Sequence, residues 1–113
     1  MERRYSTYTV EELRKEIATL KEKVQKAEQL GNVSEFEILQ RKMQMAAAYL
    51  VNPKDFEKGK RYEMVGDPGQ QFEITYINGV FAWGHRVNLL GEKFEEEEAV
   101  PLSILGEKVE KVK

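Results

Sequence analysis

Apolar residues recur at spacings of three and four through the first half of the chain and at spacings of two through much of the second. The first period belongs to a helix that buries one face, the second to a strand that buries one side. Val10, Leu13, Ile17, Leu20, Val24 and Ala27 form one continuous stripe. Thr9 stands before it as an N-cap, with Glu12 placed to complete a capping box and Tyr8 and Leu13 in the positions of a hydrophobic staple. Gly31 marks the end, because glycine takes the left-handed conformation at little cost. Ser34 and Glu37 then predict a second capping box, with Val33 and Ile38 as its staple, ahead of the stripe Phe36, Leu39, Met43, Ala46 and Leu50. Asn52-Pro53 stops that helix. The pattern therefore predicts helices over about 9–30 and 34–51, roughly 30 and 25 Å long, joined by a loop of about three residues and so antiparallel neighbours. Residues 1–52 form the predicted hairpin.

Residues 53–60 read as a linker, and residues 61–113 as a module of short strands. Arg61–Val65 is one candidate strand, followed by the turn sequence Gly66-Asp67-Pro68-Gly69. Phe72, Ile74 and Tyr76 alternate with Glu73 and Thr75, and Asn78-Gly79 is a strong hairpin signal. Pairing across it would set Tyr76 against Phe81, Ile74 against Trp83 and Phe72 against His85, with Ala82, Gly84 and Arg86 on the opposite, thinly covered face. Residues 88–93 read as a loop, Glu95–Val100 and Lys108–Val112 as two further strands, and Pro101–Leu105 as a tight turn between them. The fold expected is α+β, an N-terminal antiparallel two-helix hairpin followed by an SH3-like five-stranded β-barrel.

Helix two carries a second apolar face. Ile38, Met45 and Tyr49 lie about 120° from its main stripe, more than one partner helix can cover. That face is expected either to pack on the C-terminal module or to meet a partner, including a second copy of the chain.

Charge changes the picture little. The net charge is −2, with 34% of residues charged. Residues 1–60 hold 12 Lys+Arg against 10 Asp+Glu, and residues 61–113 hold 6 against 10. Neither half is a basic domain, so a phosphate-tracking surface would need local clustering, with Arg3, Arg4, Arg14, Lys21, Arg41 and Lys42 as its candidates. The chain has no cysteine, which excludes disulfides, thiolate metal sites and cysteine nucleophiles. No apolar run approaches the ~20 residues of a membrane span, and the first residues lack a signal peptide's apolar core, so a cytoplasmic protein without membrane contact is expected.

Catalytic chemistry has little to draw on. His85 is the single histidine, and Gly66–Gln70 lacks the Lys-Ser/Thr that completes a phosphate loop. Glu95–Glu98 would alternate between two faces of a strand and converge poorly on a cation. No catalytic residue, cofactor or metal is expected. Tyr62, Tyr76, Phe81 and Trp83 are of the type that stacks nucleic-acid bases or grips proline-rich peptides, though a small barrel needs such side chains as filling. Trp83 with Tyr62 and Arg86 is the candidate contact surface.

Arg4-Tyr5-Ser6, Lys26–Gln29, Leu39–Met43 through Ala48-Tyr49-Leu50, Gly66–Gly69, Tyr76–Gly84 and Glu98–Leu102 together resemble the YfhH family, small uncharacterised proteins of bacilli and their relatives. His85 departs from the tyrosine that the resemblance implies after Trp-Gly, which weakens the case for a special role there. The resemblance implies a helical hairpin joined to an SH3-like barrel, no catalytic residues or cofactor, and a link to transcriptional regulation. The functional expectation is a non-enzymatic regulatory binding module acting through protein contacts. Direct DNA or RNA binding by the Arg/Lys set and the barrel aromatics is the alternative.

Overall fold

The computed structural model describes residues 3–109. The fold is α+β, two helices followed by a five-stranded antiparallel sheet. Two compact units divide between Leu50 and Val51.

In the first unit, helix α1 spans Val10–Gln29 and helix α2 spans Val33–Ala48. The predicted capping box at Thr9 forms in full: the Thr9 hydroxyl accepts from the Glu12 N–H at 3.1 Å, and the Glu12 carboxylate accepts from the Thr9 N–H at 2.9 Å. Leu13, Leu20, Val24 and Ala27 are buried as the stripe requires, whereas Val10 is exposed. The helix closes in a Schellman motif, with the Asn32 N–H on the Ala27 carbonyl at 3.0 Å, the Gly31 N–H on Glu28 at 3.1 Å, and Gly31 at φ +71°.

That ending overturns the predicted start of α2. The cap is Asn32, not Ser34: its Oδ1 accepts from the Glu35 N–H at 3.1 Å and its Nδ2 donates to the Glu35 carboxylate at 3.0 Å. One residue thus closes α1 through its backbone and opens α2 through its side chain. The staple positions fall accordingly on Gly31 and Phe36, and Val33 and Ile38 are left 66% and 67% exposed.

In the second unit the strands are β1 (Arg61–Met64), β2 (Gln70–Asn78), β3 (Phe81–Asn88), β4 (Glu98–Pro101) and β5 (Leu105–Lys108). Their spatial order is β4-β3-β2-β1-β5. The predicted tight turn is present as a 3-10 turn, Leu102–Ile104. Strand β4 begins at Glu98 and not at Glu95, and β5 begins at Leu105 and meets the expected Lys108–Val112 strand at Lys108; residues 110–113 lie outside the described residues. Among the described residues β4 and β5 form no ladder with one another, so the sheet is open. Its core is Tyr62, Met64, Phe72, Ile74, Ala82, Val100, Leu102 and Leu105, with Val51 and Phe56 packed against it. The stretch read as a linker therefore belongs to the sheet unit; its Gly59 N–H is bonded to the Ile74 carbonyl at 2.7 Å.

The β2–β3 register differs from expectation in two ways. First, the turn residues are Gly79-Val80, so Asn78 pairs with Phe81 and Tyr76 with Trp83. Gly79 takes φ +62° and among the described residues no non-glycine has positive φ, so Asn78 stays extended and remains in the ladder. A glycine at the first central position is the requirement of a type II′ turn. Second, a bulge at Thr75 separates Ile74↔Gly84 from Tyr76↔Trp83. One extra residue reverses which side every later side chain faces. Phe72 and Ile74 thus share the core side with Ala82 and Gly84, while Tyr76, Phe81 and Trp83 turn to the other side. Phe72 stands opposite Arg86, and His85 opposite Glu73.

Gly84 makes the bulge possible. A Cβ built there would lie 1.9 Å from the Glu73 carbonyl oxygen and 3.1 Å from the Thr75 nitrogen. Gly84→Ala is expected to destabilise the sheet unit by about 3 kcal/mol or more. Gly69→Ala, at a position with nothing within 4 Å and no positive φ, is expected to stay near wild type. Urea titration of both variants checks the contrast.

Candidate functional site

The two candidate aromatic residues separate. Tyr62 is 3% exposed, part of the core, tilted against Phe56 with ring centroids 5.1 Å apart. Its hydroxyl accepts from the Glu57 N–H at 2.8 Å, which satisfies the polar end of a buried ring. It is therefore removed from the contact surface. Trp83 is half-buried on the outer side of the sheet, its ring stacked on Tyr76 at 5.8 Å and 4°. Tyr76 is 39% exposed, and the rows Tyr76–Trp83–Ala99 and Asn78–Phe81–Pro101 run side by side across β2, β3 and β4.

Arg86, the third member of that set, is engaged in holding structure. Its Nε donates to Glu98 at 2.8 Å, and one terminal nitrogen donates to Gln70 at 2.7 Å and Asp67 at 3.2 Å. It ties the 66–69 turn and strand β4 to the centre of the sheet. His85 places Nδ1 3.0 Å from the Glu96 carbonyl oxygen. Among the described residues no three His, Cys, Asp or Glu side chains cluster as metal ligands would.

The basic candidates in the helical unit come together only in part. Arg3, Arg4 and Lys42 line one cleft of about 250 Å³ with Tyr5, Tyr8 and Glu16. Arg14 and Lys21 lie exposed along α1, and Arg41 lines a different opening on α2 beside Glu37 and Ile38. Arg3 is occupied: its terminal nitrogens donate to both Glu12 oxygens and to the Thr7 carbonyl, and its guanidinium lies 4.6 Å from the Tyr8 ring centroid. Of the apolar face on α2, Ile38 is exposed while Met45 and Tyr49 are half-buried.

A further surface lies where the sequence indicated only a loop. Asn88, at the end of β3, accepts through Oδ1 from the Leu90 N–H at 2.9 Å and the Glu92 N–H at 3.0 Å. Its amide nitrogen donates to the Glu92 carboxylate at 3.1 Å, and its backbone carbonyl accepts from the Gly91 N–H at 3.0 Å. The Phe94 N–H returns to the Arg86 carbonyl at 2.9 Å. This bonded loop carries Leu89 and Leu90 at its tip, 68% and 85% exposed, with Phe94 42% exposed behind them. The signal that could have found it is an adjacent pair of leucines inside a predicted turn, where polar residues are the rule.

Beneath the tip is a cleft of about 670 Å³, lined by Lys60, Arg61, Gln71, Glu73, Lys108 and Val109 together with the two leucines. Glu73 accepts from Lys93 at 3.0 Å and from Arg61 at 3.2 Å. The Lys93 ammonium, and next the Arg61 guanidinium, hold its carboxyl below the usual range against the burial that opposes them.

A family model described as "Protein of unknown function (DUF1811)" matches residues 3–106. The chain is 49% identical over 108 residues to the "Uncharacterized protein YfhH" of Bacillus subtilis (strain 168), a match that covers 96% of this chain and 99% of that protein.

The Arg3–Glu12 contact yields a pH prediction. Hydrogen bonds from Arg3, then from the Thr9 backbone, lower the Glu12 carboxyl to about 2. A depressed carboxyl stabilises the fold fully above its unfolded value, and the contribution is lost as pH falls from there through about 2. Glu12→Gln keeps the capping geometry and removes the charge, so its helical circular dichroism is expected to show less acid-dependent loss over that window than wild type. The family model and the relative place the chain where its residues pointed: it belongs to the DUF1811 family, the YfhH-like proteins.

Proposed function

We propose that the chain is a non-enzymatic regulatory binding module that works through protein contacts in the cytoplasm, with an SH3-like sheet unit as its binding part. The strand order β4-β3-β2-β1-β5 and the 3-10 turn between β4 and β5 support the SH3-like plan. The resemblance to the YfhH family supports transcription control as the setting. The observation that carries the reading is the display of Leu89 and Leu90 on a loop held by its own hydrogen bonds. Two adjacent leucines that far exposed add little to folding, and a paired apolar display on an ordered loop suits a contact surface. A pull-down from native lysate, with and without nuclease, is expected to recover a protein partner that resists nuclease and is lost with Leu90→Asp. Recovery of no protein above background overturns the reading.

Direct nucleic-acid binding is the second reading, favoured by the gathering of Arg3, Arg4 and Lys42 beside Tyr5 and Tyr8. It predicts a gel shift on duplex or single-stranded probes that weakens steeply with salt. Absence of any shift at low salt ends it. The commitment of Arg3 to Glu12 and the net charge of −2 place it second.

A further inference from the structure

The cleft under the Leu89–Leu90 tip has a charge opposite to that of the unit it belongs to. Residues 51–113, which make up that unit, carry 9 Lys+Arg against 12 Asp+Glu. Around this opening, however, stand Lys60, Arg61 and Lys108, and among the described residues Glu73 is the one carboxylate in the lining. That carboxylate is already matched by Arg61 and by Lys93, which reaches it at 3.0 Å. Among the described residues Lys60 has no carboxylate within ion-pair distance, and Lys108 meets Glu57 at 3.2 Å at the edge of the opening. The lining also holds apolar side chains, Leu89 and Leu90 on the loop and Val109 just past β5.

This combination selects among macromolecules. A nucleic acid would bring phosphates to the lysines, but no aromatic ring lines the cleft to receive a base, and the leucines would meet a charged backbone. A protein segment bearing carboxylates and an apolar side chain matches both the cationic and the apolar members of the lining.

We propose that this cleft is the docking site for a short acidic segment of a partner protein, its carboxylates meeting Lys60, Arg61 and Lys108 and an apolar side chain meeting Leu89 and Leu90. The proposal rests on the protein-binding reading above and names the chemistry of the partner. The cations supply steering and register, and the leucines supply the area removed from water. Affinity is therefore expected to fall with salt while retaining a salt-independent part.

The probe is a fluorescein-labelled peptide of about a dozen residues in which Asp and Glu flank Leu and Phe, followed by anisotropy with the full chain. A peptide with Lys in place of each acid and a peptide with Ser in place of each apolar residue are the controls. Saturable binding of the acidic-apolar peptide alone is expected. Lys60→Glu and Leu90→Asp, both at exposed positions, are each expected to weaken it about tenfold. No saturable binding, or binding indifferent to both substitutions, overturns the proposal. Leu90-dependent sedimentation with phosphatidylglycerol vesicles, without peptide binding, overturns it in favour of a membrane surface. A pull-down partner lost with Leu90→Asp but retained by Lys60→Glu overturns the acidic chemistry and leaves the protein-binding reading standing.

Discussion

The Glu73 carbonyl sits where any side chain on residue 84 would begin. Because glycine leaves that space open, β2 can take in an extra residue at Thr75 without parting from β3. Most of what distinguishes the sheet unit depends on that accommodation. Upstream of the bulge, Phe72 and Ile74 go into the core and Glu73 goes out to meet Arg61 and Lys93. Downstream, Tyr76 turns out to stack on Trp83 while Ile77 packs on the core. An unbulged ladder would have put Tyr76 and Trp83 on the side where the core is built. The floor of the cationic cleft and the aromatic outer face are thus two results of a single backbone contact.

The helical unit is organised by its ends. Asn32 serves two helices at once, and this economy keeps the connection to three residues, Leu30–Asn32. At the opposite end of α1, Glu12 closes the capping box and also receives Arg3, so the segment before the helix is fastened to its first turn. A carboxylate there also favours the positive end of the helix dipole. Arg3, one of the six candidate phosphate ligands, is used internally in this way.

How much of this was legible follows from which signals had competitors. The start of α1 had none: Thr9 and Glu12 stand alone ahead of an unbroken stripe. The start of α2 had two, since Asn32–Glu35 and Ser34–Glu37 both carry the cap spacing; the Schellman ending at Gly31, a three-dimensional arrangement, decided between them. The bulge left no mark in β2, where Phe72, Ile74 and Tyr76 alternate without fault; only the glycine at 84, across the ladder, pointed to it. Tyr62 and Trp83 are alike in type, and their fates were separated by strand register and by the partners Phe56 and Tyr76. Lys60, Arg61, Lys93 and Lys108 are spread over about fifty residues of mixed charge, so no window along the chain reveals their gathering.

The Asn88 loop has a thermodynamic consequence for any protein that meets it. A flexible loop gives up backbone freedom when it is gripped, and that loss subtracts directly from affinity. Here the side chain and backbone of one asparagine have already fixed the path from Leu89 to Glu92 in the isolated chain. The leucines arrive at an encounter with their backbone ordered. None of the bonds that fix this path comes from the side chains at positions 89 and 90, so a change of size or polarity there leaves the frame of the loop in place.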